Sequence, residues 1–174
     1  MPKSNLYIGV LSGTSADSID ALLVDFSKSI KVIDRFSEKI PKTVKDNIFE
    51  LVLNKKLPNY KEKQKELDCK LGKLIGKCVN QLIKKSQVNK QTVKGIGSHG
   101  QTIIHSSSRK KPFSLQIGNP ELIKKLTGIK VVHGFRQSDI ANGGMGAPLT
   151  PAFHKEYMSK ANINRAIVNI GGIT

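Results

Sequence analysis

Tryptophan is absent from the sequence, and phenylalanine and tyrosine together bring the aromatic share to only 5%. Isoleucine, leucine and valine must therefore fill whatever core the chain builds. The only cysteines, Cys69 and Cys78, lie nine positions apart in an apolar-periodic stretch, a spacing that matches neither a zinc knuckle nor a redox pair. They read as reduced core thiols. His99 and His105 stand six apart with no carboxylate between them, so no metal ligand set is expected. No segment approaches 18 apolar residues, and Met1 to Tyr7 contains no apolar run with a cleavage site. These absences argue against a membrane span or leader and for a soluble, cytoplasmic chain.

Acidic residues are also few: 13 Asp and Glu face 29 Lys and Arg, giving a formal charge of +16. Such a surface could attract nucleic acid through counterion release. Only four of the basic residues are arginine, however, and base-edge and phosphate recognition favours the bidentate guanidinium. Residues 38–94 hold 15 lysines against six acids, and the pattern there is that of solvated helix exteriors. No nucleic-acid partner is expected. Residues 5–27, in contrast, contain Asp17, Asp20 and Asp25 and no base.

What is present reads as α/β. A length of 174 residues suits one ordinary domain or two small ones and needs no disulfide or metal staple. Leu6–Leu11 and Ile19–Phe26 read as strands joined by a polar turn. Apolar spacing predicts a helix from Val44 to Lys56, with Thr43 placed to cap it, and a longer helix after Pro58 carrying a stripe of Leu67, Leu71, Leu74, Cys78 and Leu82. Further strands are expected at Val93–Ser98, Phe113–Ile117, Ile129–Val132 and Arg165–Ile170. Asn119 should cap, Pro120 begin and Gly128 close a short helix.

Four polar turns follow apolar strands. In Gly13-Thr14-Ser15-Ala16-Asp17-Ser18-Ile19-Asp20, backbone N–H groups and hydroxyls could cradle phosphate, although a hydrogen-bonded hairpin turn would look the same. Gly97-Ser98-His99-Gly100-Gln101-Thr102 offers donors for sugar hydroxyls or a carboxylate. In Arg136 to Leu149, Asp139 beside three glycines and an arginine is suited to accept a proton in phosphoryl transfer; the alternative is that it caps a helix. Asn169-Ile170-Gly171-Gly172 forms a fourth.

Taken in order, these strings, with Leu115-Gln116-Ile117-Gly118, Gly146-Ala147-Pro148-Leu149 and Pro151-Ala152-Phe153-His154, resemble the anhydro-N-acetylmuramic acid kinases of peptidoglycan recycling, in their N-terminal portion. The resemblance implies a ribonuclease H-like/actin-like ATPase domain, a mixed sheet flanked by helices. It implies that residues 1–164 form the N-terminal domain, that 165–174 begin a truncated second domain, and that this second domain is otherwise absent.

The same resemblance implies ATP and Mg2+ as cofactors and an amino sugar as the second small-molecule partner, with a homodimer possible. Asp139 would be catalytic. Gly13, Thr14, Ser15, Ala16, Asp17, Ser18, Ile19 and Asp20 would bind the ATP phosphates, and Gln101, Thr102 and Arg136 would contact sugar. Ala16 and Ser18 stand where the family usually has a larger apolar residue and glycine, and Gly134 where it generally has aspartate. The alternative reading is an inactive truncated remnant that binds sugar or dimerises.

Overall fold

The computed structural model describes residues 5–106, 108 and 110–168. These residues fall into two compact units, those of 5–104 with 115–134 and those of 105–114 with 135–168.

The first unit is built on a mixed sheet. Strands β1 (Leu6–Ser12), β2 (Ser18–Asp25) and β3 (Lys31–Lys39) form an antiparallel meander. The chain then crosses through α1 (Lys42–Leu53) and α2 (Tyr60–Ser86) to β4 (Val93–Ser106), which runs parallel to β1. β5 (Phe113–Ile117) pairs with β4, and after α3 (Pro120–Thr127) the short β6 (Val131–Val132) also joins β4 in parallel. The order β3-β2-β1-β4, with β2 antiparallel to both neighbours and helices flanking the sheet, is the α/β architecture of a ribonuclease H-like, actin-like domain.

Alternation decides which face is covered. Ile8 and Val10 of β1 and Ile19, Ala21 and Leu23 of β2 are buried, while Tyr7, Leu11 and Leu22 on the opposite face remain exposed. The predicted stripe of α2 supplies the other half of the core: Leu67, Leu71, Cys78 and Leu82 are buried, together with Ile75 and Val79, while Leu74 is only half-buried; Val44, Ile48 and Leu51 of α1 are buried too. Each such aliphatic side chain contributes about 1.5–3 kcal/mol on burial. Burial pushes the Cys78 thiol up to about 11. The lysines lie outside this core, as expected, and pair with acids: Lys77 with Glu38 at 2.6 Å, Lys85 with Asp34 at 2.7 Å and Lys63 with Glu50 at 2.8 Å.

α3 forms as its sequence dictates. Asn119 Oδ1 accepts from Leu122 N at 3.0 Å, Pro120 is the first helical residue, and Gly128 ends the helix with φ 72°. α1 starts earlier than predicted, because Pro41 precedes it and Lys42 already turns; Thr43 lies inside the first turn and does not cap it.

β4 departs most from the pattern. The turn expected at Ser98–Thr102 is instead a bulge in a continuous strand. Val10 pairs with Ser98 and Leu11 with Gly100, so His99 is the extra residue. Gly100 takes φ 72°, and a Cβ there would lie 2.5 Å from Ile117 O, so only glycine permits the strand to bend and continue.

In the second unit, α4 (Phe135–Ala141) and α5 (Pro151–Met158) are joined by a glycine-rich segment whose Ala147–Pro148 peptide is cis. The strand expected at Arg165–Ile170 is not formed over Arg165–Val168, which run outside regular structure. Asn169, Ile170 and the Gly171–Thr174 turn lie outside the described residues.

Candidate functional site

The Gly13–Asp20 turn is a tight connection between antiparallel strands. Ala16 N donates to Gly13 O at 3.0 Å, and Ala16 itself adopts φ 50° with its side chain fully buried. Ile19 is buried as well, so these two residues hold the turn to the core and leave Gly13, Thr14 and Ser15 facing solvent. Ser18 Oγ donates to Asp20 Oδ2 at 3.0 Å, and Ser37 Oγ of β3 donates to Asp20 Oδ1 at 2.5 Å.

Asp17 is anchored from outside the turn. Its carbonyl accepts from Ile40 N at 3.0 Å, and its carboxylate forms an ion pair with Lys45 of α1. The hydrogen bond from Lys45, then that from Ser15, holds the Asp17 carboxyl below the usual carboxylate range. Sequence reasoning missed Lys45 because β3 is a polar strand that the apolar pattern does not announce. Once β3 folds back on β2, pairing Lys39 with Ser18, the start of α1 arrives beside Asp17.

Gln101 lies on β4 just past the bulge and is 1% exposed. Its Oε1 accepts from the buried Ser12 hydroxyl at 2.7 Å, and its Nε2 donates to Thr102 O at 3.3 Å. This amide is thus bonded to the end of β1, at the entrance to the Gly13 turn. Thr102 is partly exposed, and its Oγ1 accepts from Gln116 Nε2 at 3.3 Å. The structure thus gathers the first turn, Gln101 and Thr102 into the first unit.

Arg136 and Asp139 belong to the second unit, one turn apart on α4. They grip the same glycine: Asp139 Oδ2 accepts from Gly146 N at 2.7 Å, while Arg136 Nη1 donates to Gly146 O at 3.2 Å. Asp139 is not a helix cap, since it lies inside α4. Instead the chain beyond the helix wraps around it. Gly144 N donates to Asp139 O at 2.8 Å, and Gly144 passes so close that a Cβ would fall 2.1 Å from Asp139 Oδ2. Among the described residues Asp139 Oδ1 has no hydrogen-bond partner, so one carboxylate oxygen is fixed and the other is available to take a proton. Burial lowers the Arg136 pKa from its ordinary value, yet a guanidinium remains a cation.

Among the described residues, no group of three His, Cys, Asp or Glu side chains could hold a metal ion. These side chains do not form a metal cage, and no helix among them is long and apolar enough to cross a membrane.

Comparison with known proteins finds one family along nearly the whole chain. The family model for anhydro-N-acetylmuramic acid kinase matches residues 5–174. A protein named anhydro-N-acetylmuramic acid kinase from Coxiella burnetii (strain RSA 493 / Nine Mile phase I) is 46% identical over 173 residues, covering 99% of this chain and 45% of the relative. Its namesakes from Shewanella sediminis and Shewanella amazonensis are 46% and 44% identical over 174 residues, covering 98% of this chain and 46% of each relative. The chain therefore spans a little under half the length of these relatives.

Proposed function

Because the chain belongs to the anhydro-N-acetylmuramic acid kinase family, we propose that it carries the proton-accepting and first phosphate-binding parts of an ATP-dependent kinase acting on 1,6-anhydro-N-acetylmuramic acid. The reaction uses one water. Its oxygen bonds to the anomeric carbon as the bond from that carbon to O6 breaks. O6 takes the γ-phosphoryl group of ATP, and the bond from γ-phosphorus to the β-phosphate bridging oxygen breaks to release ADP. The products are N-acetylmuramic acid 6-phosphate and ADP, and the proton lost by water passes to Asp139 and then to solvent. This chemistry suits a cytoplasmic step in the recycling of cell-wall fragments.

The observation that carries this reading is the grip on Asp139. A general base must be held within hydrogen-bond reach of its water in one orientation. The bond from Gly146 N fixes Oδ2, and the close pass of Gly144 closes that side of the carboxylate. Arg136, tied to the same glycine, would bind an anionic or hydroxyl-bearing part of the sugar. The Gly13–Asp20 turn supplies exposed backbone and hydroxyls for phosphate, and Gln101 braces its entrance through Ser12. Mg2+ would enter with the nucleotide, since magnesium is usually held by one or two carboxylates together with substrate phosphates.

The test is sugar-dependent ADP release by the full-length protein, with Asp139→Asn as the comparison. The expected loss in kcat is about 10²–10⁴-fold, the usual worth of a general base. Absence of sugar-dependent ADP release from the unaltered protein overturns the reading. Sugar binding without release would assign it to an inactive binding protein instead.

A further inference from the structure

We propose that Lys45, in the first turn of α1, is a positioning residue for the Gly13–Asp20 turn and acts through Asp17; this rests on reading that turn as a phosphate loop. Ala16 and Ile19 hold the turn to the core, but its exposed part, Gly13–Ser15 with Asp17, has little to fix it from within. Its backbone bond is Ala16 N to Gly13 O, Thr14 and Ser15 face solvent, and residues 5–27 contain no cation of their own. Two anchors reach it from the β3–α1 junction, the bond from Ile40 N to Asp17 O and the ion pair from Lys45 to the Asp17 carboxylate.

Lys45 is suited to this role because its stem is itself held. The ammonium lies 5.7 Å from the centre of the Phe49 ring, one turn further along α1, and the side chain is 33% exposed against 66% for Asp17. The more restrained partner therefore fixes the freer one. The Ser15 hydroxyl also lowers the pKa of the Asp17 carboxyl, after Lys45, so the pair lies close to an exposed hydroxyl of the turn.

The pairing has an electrostatic side as well. An unpaired carboxylate on a phosphate-binding turn would repel a polyphosphate, and Lys45 neutralises it. Removing Lys45 alone leaves that anion uncompensated. Removing both charges does not. A role confined to stability would lower the melting temperature and leave KM for ATP unchanged.

The experiment compares Lys45→Met, Lys45→Arg and Lys45→Met with Asp17→Asn in the full-length protein. Lys45→Met should raise KM for ATP about fivefold, the upper range for a partly exposed ion pair, with kcat and KM for sugar nearly unchanged. Lys45→Arg should return KM for ATP toward the unaltered value, while the double variant, which relieves the repulsion but still lacks the anchor, should recover only part of the rise. Hydrogen exchange at the amides of Thr14–Asp17 should speed up in Lys45→Met and not in Lys45→Arg, with α2 amides unaffected. An unaltered KM for ATP, or unaltered exchange in the turn, overturns the proposal. Should the unaltered protein fail to release ADP, the kinase reading fails by itself and the exchange measurement still decides whether Lys45 positions the turn.

Discussion

The hydroxyl of Ser12 donates a 2.7 Å hydrogen bond to the carboxamide oxygen of Gln101, joining the end of β1 to the bulged segment of β4 across 89 positions of sequence. Both side chains are buried, at 6% and 1% exposure, so neither can turn to water if its partner is lost. Removing one partner of a buried hydrogen bond costs the desolvation of the other, about 1–3 kcal/mol, whereas replacing both with apolar groups can be nearly neutral. Ser12→Ala and Gln101→Met should each lower the melting temperature by several degrees, and the double variant should lose less than the sum. Thermal melts arranged as a double-mutant cycle measure this. Strict additivity would show that the bond contributes nothing.

The core and most elements were legible in the sequence because their signals are local. The stripe of α2 repeats at helical spacing, and α3 carries its cap, its leading proline and its closing glycine within ten residues. The pairings that build the site are not local. Lys45 reaches Asp17 only after β3 folds onto β2, and β3 is an edge strand whose charged residues hide its alternation. That Gln101 is bonded to Ser12, 89 positions away, is likewise invisible in the sequence. Asp139 among glycines was readable as a chemical group, but that the glycines enclose its carboxylate was not.

The two thiols should differ sharply in reactivity. Cys78 is fully buried, its thiol donates toward Ile19 O at 3.4 Å, and its pKa is pushed up to about 11, while Cys69 is partly exposed. At neutral pH on the order of one Cys78 thiol in ten thousand is ionised, and thiolate is the reacting species. A disulfide reagent should modify Cys69 in the native protein and reach Cys78 only at the rate of unfolding. Mass spectrometry of partly labelled protein reads the order. Equal labelling of both would contradict the packing of α2 on the sheet.

Stability should fall in acid through specific carboxylates. The Lys85 ammonium and, after it, the backbone N–H of Arg35 hold the Asp34 carboxyl below its ordinary value of 3.8. A carboxylate with a depressed pKa in the folded protein stabilises it above the unfolded value, and that contribution is lost as pH falls through the folded value. The Asp34 contribution should therefore be constant from neutral pH down to about 4 and disappear below it. Urea midpoints of the unaltered protein and Asp34→Asn should converge in that lower window. A gap that persists undiminished at pH 2 would mean that Asp34 acts through something other than its charge.

Gly143 and Gly144 make opposite predictions. At Gly143 a Cβ meets nothing within 4 Å, but φ is 87°, so Gly143→Ala introduces backbone strain of about 1–2 kcal/mol and leaves Asp139 undisturbed. At Gly144 the obstacle is Asp139 itself: a Cβ would lie 2.1 Å from Oδ2 and 2.4 Å from Cγ, so the carboxylate must move. Such a shift breaks the bond from Gly146 N and misplaces the proposed base, and a displacement near 1 Å can cost about 10²-fold in rate. Gly143→Ala should thus melt earlier with kcat largely kept, and Gly144→Ala should lose kcat by about that factor beyond any change in melting. Paired melts and ADP-release assays separate the two. Equal kcat in both variants would show that the close pass of Gly144 does not hold Asp139 for the reaction.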